Sequence, residues 1–288
     1  MIKKAIILCG GTGSRMFPLT YSINKQLLPI FDKPMFYYPL SLMMLCGIRE
    51  YIFVINRGQE ENFRKLLGNP EDLGIKISFV SQKSPRGLPD AFLITKELIK
   101  NHSIAMILGD NFFYGNMLSP LIIESFKKNS GCNIYLYPSN KPSSYGVVEF
   151  NKKNEIKKIV EKPKKTNSNL IITGLYVFDK KVSEFAKKLK PSRRNELEIV
   201  DLINLYKNKK KLKITKLGRG SAWMDVGNFS DLQSTSNFIQ NIEHRQNYKI
   251  GCIEEIAFNN KWIGKKQIIN RIKFCAKTDY SKYLKNLI

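Results

Sequence analysis

Lys3-Lys4-Ala5-Ile6-Ile7-Leu8-Cys9-Gly10-Gly11-Thr12-Gly13-Ser14-Arg15 joins an apolar segment to a glycine-rich one, and the architecture of the chain follows from that junction. Residues 5–8 form an apolar run of strand length, and the chain passes from it straight into glycines. A loop without side chains lets backbone N–H groups close on phosphate oxygens. A Walker A loop would end in Gly-Lys-Ser/Thr, whereas this one ends in Ser14-Arg15-Met16. The dinucleotide fingerprint needs a third glycine where Met16 stands. A nucleotide loop that supplies its own arginine remains, with a tight structural turn as the competing reading of the loop alone.

Outward from that loop, strand-length apolar runs recur at 51–55, 76–80 and 104–108. Helical patterns lie at 36–46, stopped by Gly47, and at 88–100. This alternation predicts βαβ units and a mostly parallel sheet, hence an α/β fold. Beyond Asp110 the spacing tightens, with strands expected at 133–137, 145–150, 155–160 and 171–178 between Pro-, Ser- and Asn-rich turns. These read as antiparallel additions. Helices at 181–188 and 198–207, a strand at 212–217 and a Gly-rich turn lead to Trp223-Met224-Asp225, and from Phe229 the pattern is mainly helical. The expected organisation is a core of 1–228 followed by a C-terminal helical segment, 229–288.

Composition narrows the chemistry. With 43% hydrophobic and 25% charged residues among 288, the chain is expected to be an ordinary soluble protein. Its longest apolar stretch, 35–46, is too short and broken to span a bilayer, so neither membrane nor export is expected. Five scattered cysteines without a Cys-x-x-Cys pair argue against disulfides and zinc and suit a reducing cytoplasm. Two histidines leave little for a histidine-based triad, so the chemistry must run on carboxylates, Lys, Arg and backbone. The net charge of +24 would suit a nucleic-acid binder, but the lysines are dispersed and the dense block at 207–213 reads as a solvated face.

Several residue types then stand where chemistry could use them. Arg15 has a planar fork for phosphate oxygens, and Lys25 adds a point charge near the same loop; taken singly, either reads equally as a surface cation. Leu108-Gly109-Asp110-Asn111 places a carboxylate at the carboxyl end of a strand, where open α/β sheets bind ligands. Asp225 offers a second one, and the pair would suit Mg²⁺; a turn Asp or helix N-cap is the alternative for Asp225. Glu161-Lys162-Pro163 pairs a hydroxyl-binding carboxylate with a cation, as a surface ion pair also would. Tyr145-Gly146-Val147-Val148 and Thr173-Gly174 are either bare turns or places where backbone approaches a sugar.

Together these residues resemble the glucose-1-phosphate thymidylyltransferases, of the sugar nucleotidyltransferase superfamily. The pattern runs through Gly10-Gly11-x-Gly13-x-Arg15, Lys25-Gln26-Leu27-Leu28-Pro29, Asp32-Lys33-Pro34-Met35, Leu108-Gly109-Asp110-Asn111, Tyr145 to Phe150, Glu161-Lys162-Pro163, Thr173-Gly174-Leu175-Tyr176 and Ala222-Trp223 with Asp225. It continues to Lys261-Trp262-Ile263, covering nearly the whole chain. The resemblance implies a Rossmann-like nucleotidyltransferase fold with a nucleotide half at about 1–110 and a sugar-binding half at about 111–228. It implies transfer of a thymidylyl group from dTTP to glucose 1-phosphate, with Mg²⁺ as cofactor, in a cytoplasmic homotetramer.

By the same resemblance, Gly10, Gly11, Gly13 and Arg15 cradle the triphosphate and Lys25 stabilises charge as pyrophosphate departs. Gln82 and Gly87 read the pyrimidine base. Tyr145, Gly146, Glu161 and Thr173 contact the sugar, Lys162 with Arg194 holds its phosphate, and Asp110 and Asp225 bind the metal. Tyr114, Gly115, Arg219, Glu255 and Ile256 match a second, regulatory nucleotide site. The chain departs from the pattern at Pro89-Asp90, where small and amide residues are usual, and at Cys9 and Met16-Phe17. A uridylyltransferase or related sugar-1-phosphate nucleotidyltransferase is the nearest alternative; a non-catalytic nucleotide sensor or a basic nucleic-acid-binding protein is the remote one.

Overall fold

The computed structural model describes residues 2–288. Its contacts partition into two units, and the chain passes between them repeatedly. The first unit comprises Lys3–Lys83, Leu108–Phe113 and Met224–Ile288; the second comprises Ile2, Ser84–Ile107 and Tyr114–Trp223. A linear division at 110 and 228 is therefore not how the contacts fall, and the C-terminal helices belong wholly to the first unit.

In the first unit, strands β1 (Lys4–Cys9), β2 (Glu50–Asn56) and β3 (Lys76–Gln82) pair in parallel, with Cys9 opposite Ile55 and Asn56 opposite Gln82. Tyr51 to Ile55 are all buried, the continuous apolar run expected of a strand covered on both faces. The helix expected at 36–46 is observed as Tyr37–Leu45 and is apolar around nearly its whole circumference, which suits a buried position. Phe53, on β2, packs edge-to-face on Phe36 at 5.8 Å and lies 5.5 Å from Phe79 of β3. A further helix, Glu60–Leu67, is strongly one-sided and buries Phe63 and Leu67; the sequence reading did not anticipate it.

The C-terminal helices are bound into this unit by buried polar contacts. Arg271, on helix Lys265–Phe274, is 1% exposed and donates through Nε and Nη2 to Glu254 Oε1, at 3.0 and 2.6 Å. Its Nη1 donates to the Leu67 carbonyl at 2.6 Å, and the other oxygen of Glu254 accepts from the Tyr280 hydroxyl. A buried guanidinium is tolerable because each of its three nitrogens has a partner. Lys33, likewise buried, donates to Glu243 at 2.9 Å and so joins the turn after residue 30 to helix Phe229–Gln246.

The second unit carries the antiparallel additions. Strand Leu170–Phe178 pairs antiparallel with Cys132–Pro138 and with Ile104–Leu108, and Gly146–Phe150 pairs antiparallel with Ile156–Glu161. Leu212–Lys216 joins Cys132–Pro138 in parallel. The single helix expected at 88–100 is two short ones, Asp90–Ile94 and Lys96–Ile99. Between them Thr95 turns its hydroxyl back onto the Ala91 carbonyl at 2.6 Å, the bond by which Thr bends a helix. All five cysteines are free thiols.

Candidate active site

The loop after β1 lines a cleft of about 240 Å³ formed by Gly10 to Arg15 with Lys25, Gln26, Asp110 and Gly227. Gly13 lies in the left-handed region at φ 61°, and a Cβ there would stand 2.9 Å from the Thr20 side chain, so the turn requires glycine twice over. Three side chains hold the loop: Thr20 donates to the Gly13 carbonyl at 2.8 Å, Asn24 to the Cys9 carbonyl at 2.8 Å, and Asn56 clasps the peptide groups of Gly11. A Cβ on Gly227 would lie 3.0 Å from Arg15 Nη1, so the guanidinium rests over that glycine beside the loop. The loop is thus a braced cradle with an arginine at its rim.

Lys25 is 8% exposed, and its ammonium meets Asp110 Oδ2 at 2.6 Å. A surface cation would not sit so; burial beside a carboxylate gives it one defined place in the cleft wall. Asn111 donates to the other oxygen of Asp110 at 3.1 Å. Asp225 is brought to the same place by backbone, because the Val226 N–H donates to the Asp110 carbonyl at 3.0 Å. The N-cap reading of Asp225 falls, since Asn228 caps the helix that follows by accepting from the Asp231 N–H.

Burial, and after it the charge of Asp110, pushes the Asp225 carboxyl up to about 6, while Lys25 and Arg15 pull it down. Two carboxylates that repel each other in a half-buried cleft are the donor set that a divalent cation relieves. Among the described residues no group of three or more His, Cys, Asp or Glu side chains could hold a metal ion. Mg²⁺ fits what is present, since it takes one or two carboxylates and completes its shell with water and phosphate oxygens.

The raised carboxyl has a consequence for stability. An acid whose folded pKa lies above its ordinary 3.8 imposes no cost at low pH; the cost builds as pH climbs from there to about 6 and stays constant above. Asp225→Asn is therefore expected to stabilise the metal-free protein at pH 7.5 by about 1–3 kcal/mol and to lose that advantage near pH 4, while turnover is lost. Melting in chelator at the two pH values checks this; a variant no more stable at pH 7.5 than at pH 4 would contradict it.

In the second unit, Gly146 and Glu161 are register partners, and a Cβ on Gly146 would come within 3.3 Å of Glu161 Oε2. Burial raises the pKa of Glu161, with Lys162 opposing and Glu198 adding to the rise. Lys162 has φ 42° and donates its N–H to the Tyr145 carbonyl at 3.0 Å, a turn that leaves its side chain half exposed. Arg194 is held by Glu198 at 2.6 Å and lies 3.7 Å from Glu161. Tyr145 packs edge-to-face on Trp223 at 5.3 Å. Glu161 thus lies within 4.0 Å of both Lys162 and Arg194, with Tyr145 and Gly146 beside them. Thr173 is 1% exposed, and its hydroxyl is donated to the Tyr135 carbonyl.

Gly87 has a requirement of its own, because a Cβ there would fall 2.0 Å from the Leu197 carbonyl oxygen. Tyr114, Gly115 and Arg219 belong to the second unit and Glu255 and Ile256 to the first; the Glu255 carboxylate accepts from the Tyr283 hydroxyl at 2.8 Å. Sequence reasoning missed Asn24, Gln26, Asn56 and Gly227. The polar ends of otherwise apolar strands, such as Asn56 in Val54-Ile55-Asn56, were the available signal.

A family model described as nucleotidyl transferase matches residues 4–242. The chain is 42% identical over 285 residues to the glucose-1-phosphate thymidylyltransferase of Neisseria meningitidis, covering 99% of each chain. A Bacillus anthracis structure, provisionally named a glucose-1-phosphate thymidylyltransferase and solved with sucrose, is 31% identical with a TM-score of 0.75 over 82% of this chain and 94% of that one. A UDP-glucose pyrophosphorylase complexed with UDP-glucose is 26% identical with a TM-score of 0.73, covering 84% and 100%.

Proposed function

Since the chain belongs to the nucleotidyl transferase family, within the glucose-1-phosphate thymidylyltransferases, we propose that it transfers a thymidylyl group from dTTP to glucose 1-phosphate, giving dTDP-glucose and pyrophosphate. The observation that carries this reading is the braced glycine loop with Lys25 buried against Asp110 in one cleft. The thymidylyl reading is favoured over the uridylyl one because the full-length relative at 42% identity carries the former name, whereas the UDP-glucose protein stands at 26%.

A sugar phosphate has a second pKa of about 6, so near neutral pH its oxygen is already an anion and needs no general base. That oxygen attacks the α-phosphorus in line; the new P–O bond forms as the bond to the β-phosphate oxygen breaks, and its electrons leave with pyrophosphate. In this reading the N–H groups of Gly10 and Gly13 receive the triphosphate, Gly11 shapes the loop with its own N–H held by Asn56, and Arg15 and Lys25 meet the charge growing on the leaving group. Asp110 and Asp225 would hold Mg²⁺, which when bound supplies Lewis-acid stabilisation of phosphoryl oxygens. Gln82 and Gly87 meet the base. Lys162 and Arg194 hold the sugar phosphate, and Tyr145, Gly146, Glu161 and Thr173 meet the sugar; for Thr173 this falls to its backbone and lone pairs, its proton being taken.

The same reading carries a homotetramer, a cytoplasmic location and a regulatory site at Tyr114, Gly115, Arg219, Glu255 and Ile256. Among the described residues no helix is long and apolar enough to cross a membrane. Pyrophosphate release with glucose 1-phosphate, Mg²⁺ and each of dTTP, UTP, CTP, ATP and GTP tests the proposal. Release should be fastest with dTTP and abolished by chelator; none with dTTP would overturn it. Lys162→Ala is expected to raise KM for glucose 1-phosphate about tenfold or more, with KM for dTTP little changed, since a charge-assisted contact to phosphate is lost. An effect on dTTP alone would mean that the subsites are assigned the wrong way round.

A further inference from the structure

We propose that Asn56 is a positioning residue for base choice, setting the direction in which the Gln82 amide faces the nucleotide. This rests on the reading that Gln82 meets the base of dTTP. The residues involved stand at the carboxyl ends of adjacent parallel strands: Gly11 follows β1, Asn56 ends β2, and Gln82 ends β3 as the register partner of Asn56.

Asn56 Nδ2 donates to the Gly11 carbonyl at 2.7 Å, and its Oδ1 accepts from the Gly11 N–H at 3.1 Å. A peptide N–H only donates and a peptide carbonyl only accepts, so this pair of bonds leaves the Asn56 amide a single orientation. The same Oδ1 accepts from Gln82 Nε2 at 3.0 Å. Gln82 must therefore turn its NH₂ toward Asn56, because a flipped amide would set two acceptor oxygens against each other with no proton between them. Gly10 closes the other side. A Cβ there would lie 2.1 Å from Gln82 Nε2 and 2.6 Å from its Cδ, so the amide lies against bare backbone.

Held in this way, Gln82 keeps one N–H and its Oε1 for a ligand. Thymine offers an N3–H donor beside its O4 acceptor; cytosine offers an N3 acceptor beside its N4 amino donor. An amide in one orientation meets the first pair, and only the flipped amide meets the second at the same place. A site of fixed hydrogen-bond polarity rejects the mismatched ligand strongly, because its polar groups are left unpaired. Polarity thus passes from the Gly11 peptide groups to Asn56 and on to Gln82, and Asn56 excludes cytosine without touching it.

The experiment compares the unmodified protein, Asn56→Ala and Asn56→Asp by pyrophosphate release with dTTP and dCTP at fixed glucose 1-phosphate and Mg²⁺, reading the ratio of the two kcat/KM values. Asn56→Ala frees Gln82 to flip and should lower the dTTP:dCTP ratio about tenfold or more, the order of one net hydrogen bond. Asn56→Asp keeps an acceptor for both the Gly11 N–H and Gln82 but loses the donor to the Gly11 carbonyl. It should raise KM for dTTP while the ratio stays near that of the unmodified protein. If the unmodified protein turns over dTTP and the ratio is unchanged in Asn56→Ala, or falls equally in both variants, the inference is overturned and the proposed function stands. If the unmodified protein does not turn over dTTP, both fall. Should Asn56→Ala fail to fold, Asn56→Ser, whose hydroxyl also falls short of Gln82, is read in its place.

Discussion

Asp110→Asn is expected to lower kcat by about 10²–10³-fold or more while the protein stays folded, the loss typical of removing one group that organises charge in a transition state. The substitution keeps the shape and one carbonyl oxygen but removes the charge that pairs with Lys25 at 2.6 Å. It also removes one of the two carboxylates proposed to hold Mg²⁺. The electrostatic cost to the fold is small because two effects oppose each other. Lys25 loses its partner, while Asp225 loses the neighbouring charge that helps to raise its pKa, and so ionises more readily. Pyrophosphate release at saturating substrates, with a melting curve on the same sample, checks this. Near-normal turnover would remove Asp110 from the catalytic machinery.

Arg271→Ala is expected to have the largest effect on stability, about 3–5 kcal/mol, because it leaves Glu254 buried without its counter-charge and frees the Leu67 carbonyl. The cost falls on the seam between the C-terminal helices and the rest of the first unit. Turnover per folded molecule should be retained at low temperature, since Arg271 does not line the cleft. Replacing both members, Arg271→Met with Glu254→Leu, should recover most of the loss, because packed apolar groups serve a buried position at least as well as an ion pair. A denaturant midpoint that moves little in the single variant, or equally in the single and the double, would show that the pair does not bear on the fold.

The contrast between these two positions shows where sequence reading reaches and where it stops. Asp110 was legible because it sits at the end of an apolar strand, a position with chemical meaning in any parallel sheet. Arg271 and Glu254 were not, because one arginine and one glutamate among many charges, 17 positions apart, carry no local mark of burial. The pattern at 88–100 predicts one helix; the bend comes from one hydroxyl choosing a backbone acceptor.

The local features of this chain are those that a few consecutive residues enforce. The apolar runs make strands, the glycines after β1 permit a turn other residues resist, and the order of motifs places the chain in its family. Folding in three dimensions brings Lys25 to Asp110 across 85 positions, draws Asp225 to the same place by backbone bonding, and lets Asn56 clasp Gly11 across 45. It also places the C-terminal helices in one unit with β1. The two kinds of feature differ in range. Torsional preference and hydrophobic period act between neighbours in the chain, whereas ion pairing, burial and strand register act between neighbours in space, and those exist only once the chain has folded.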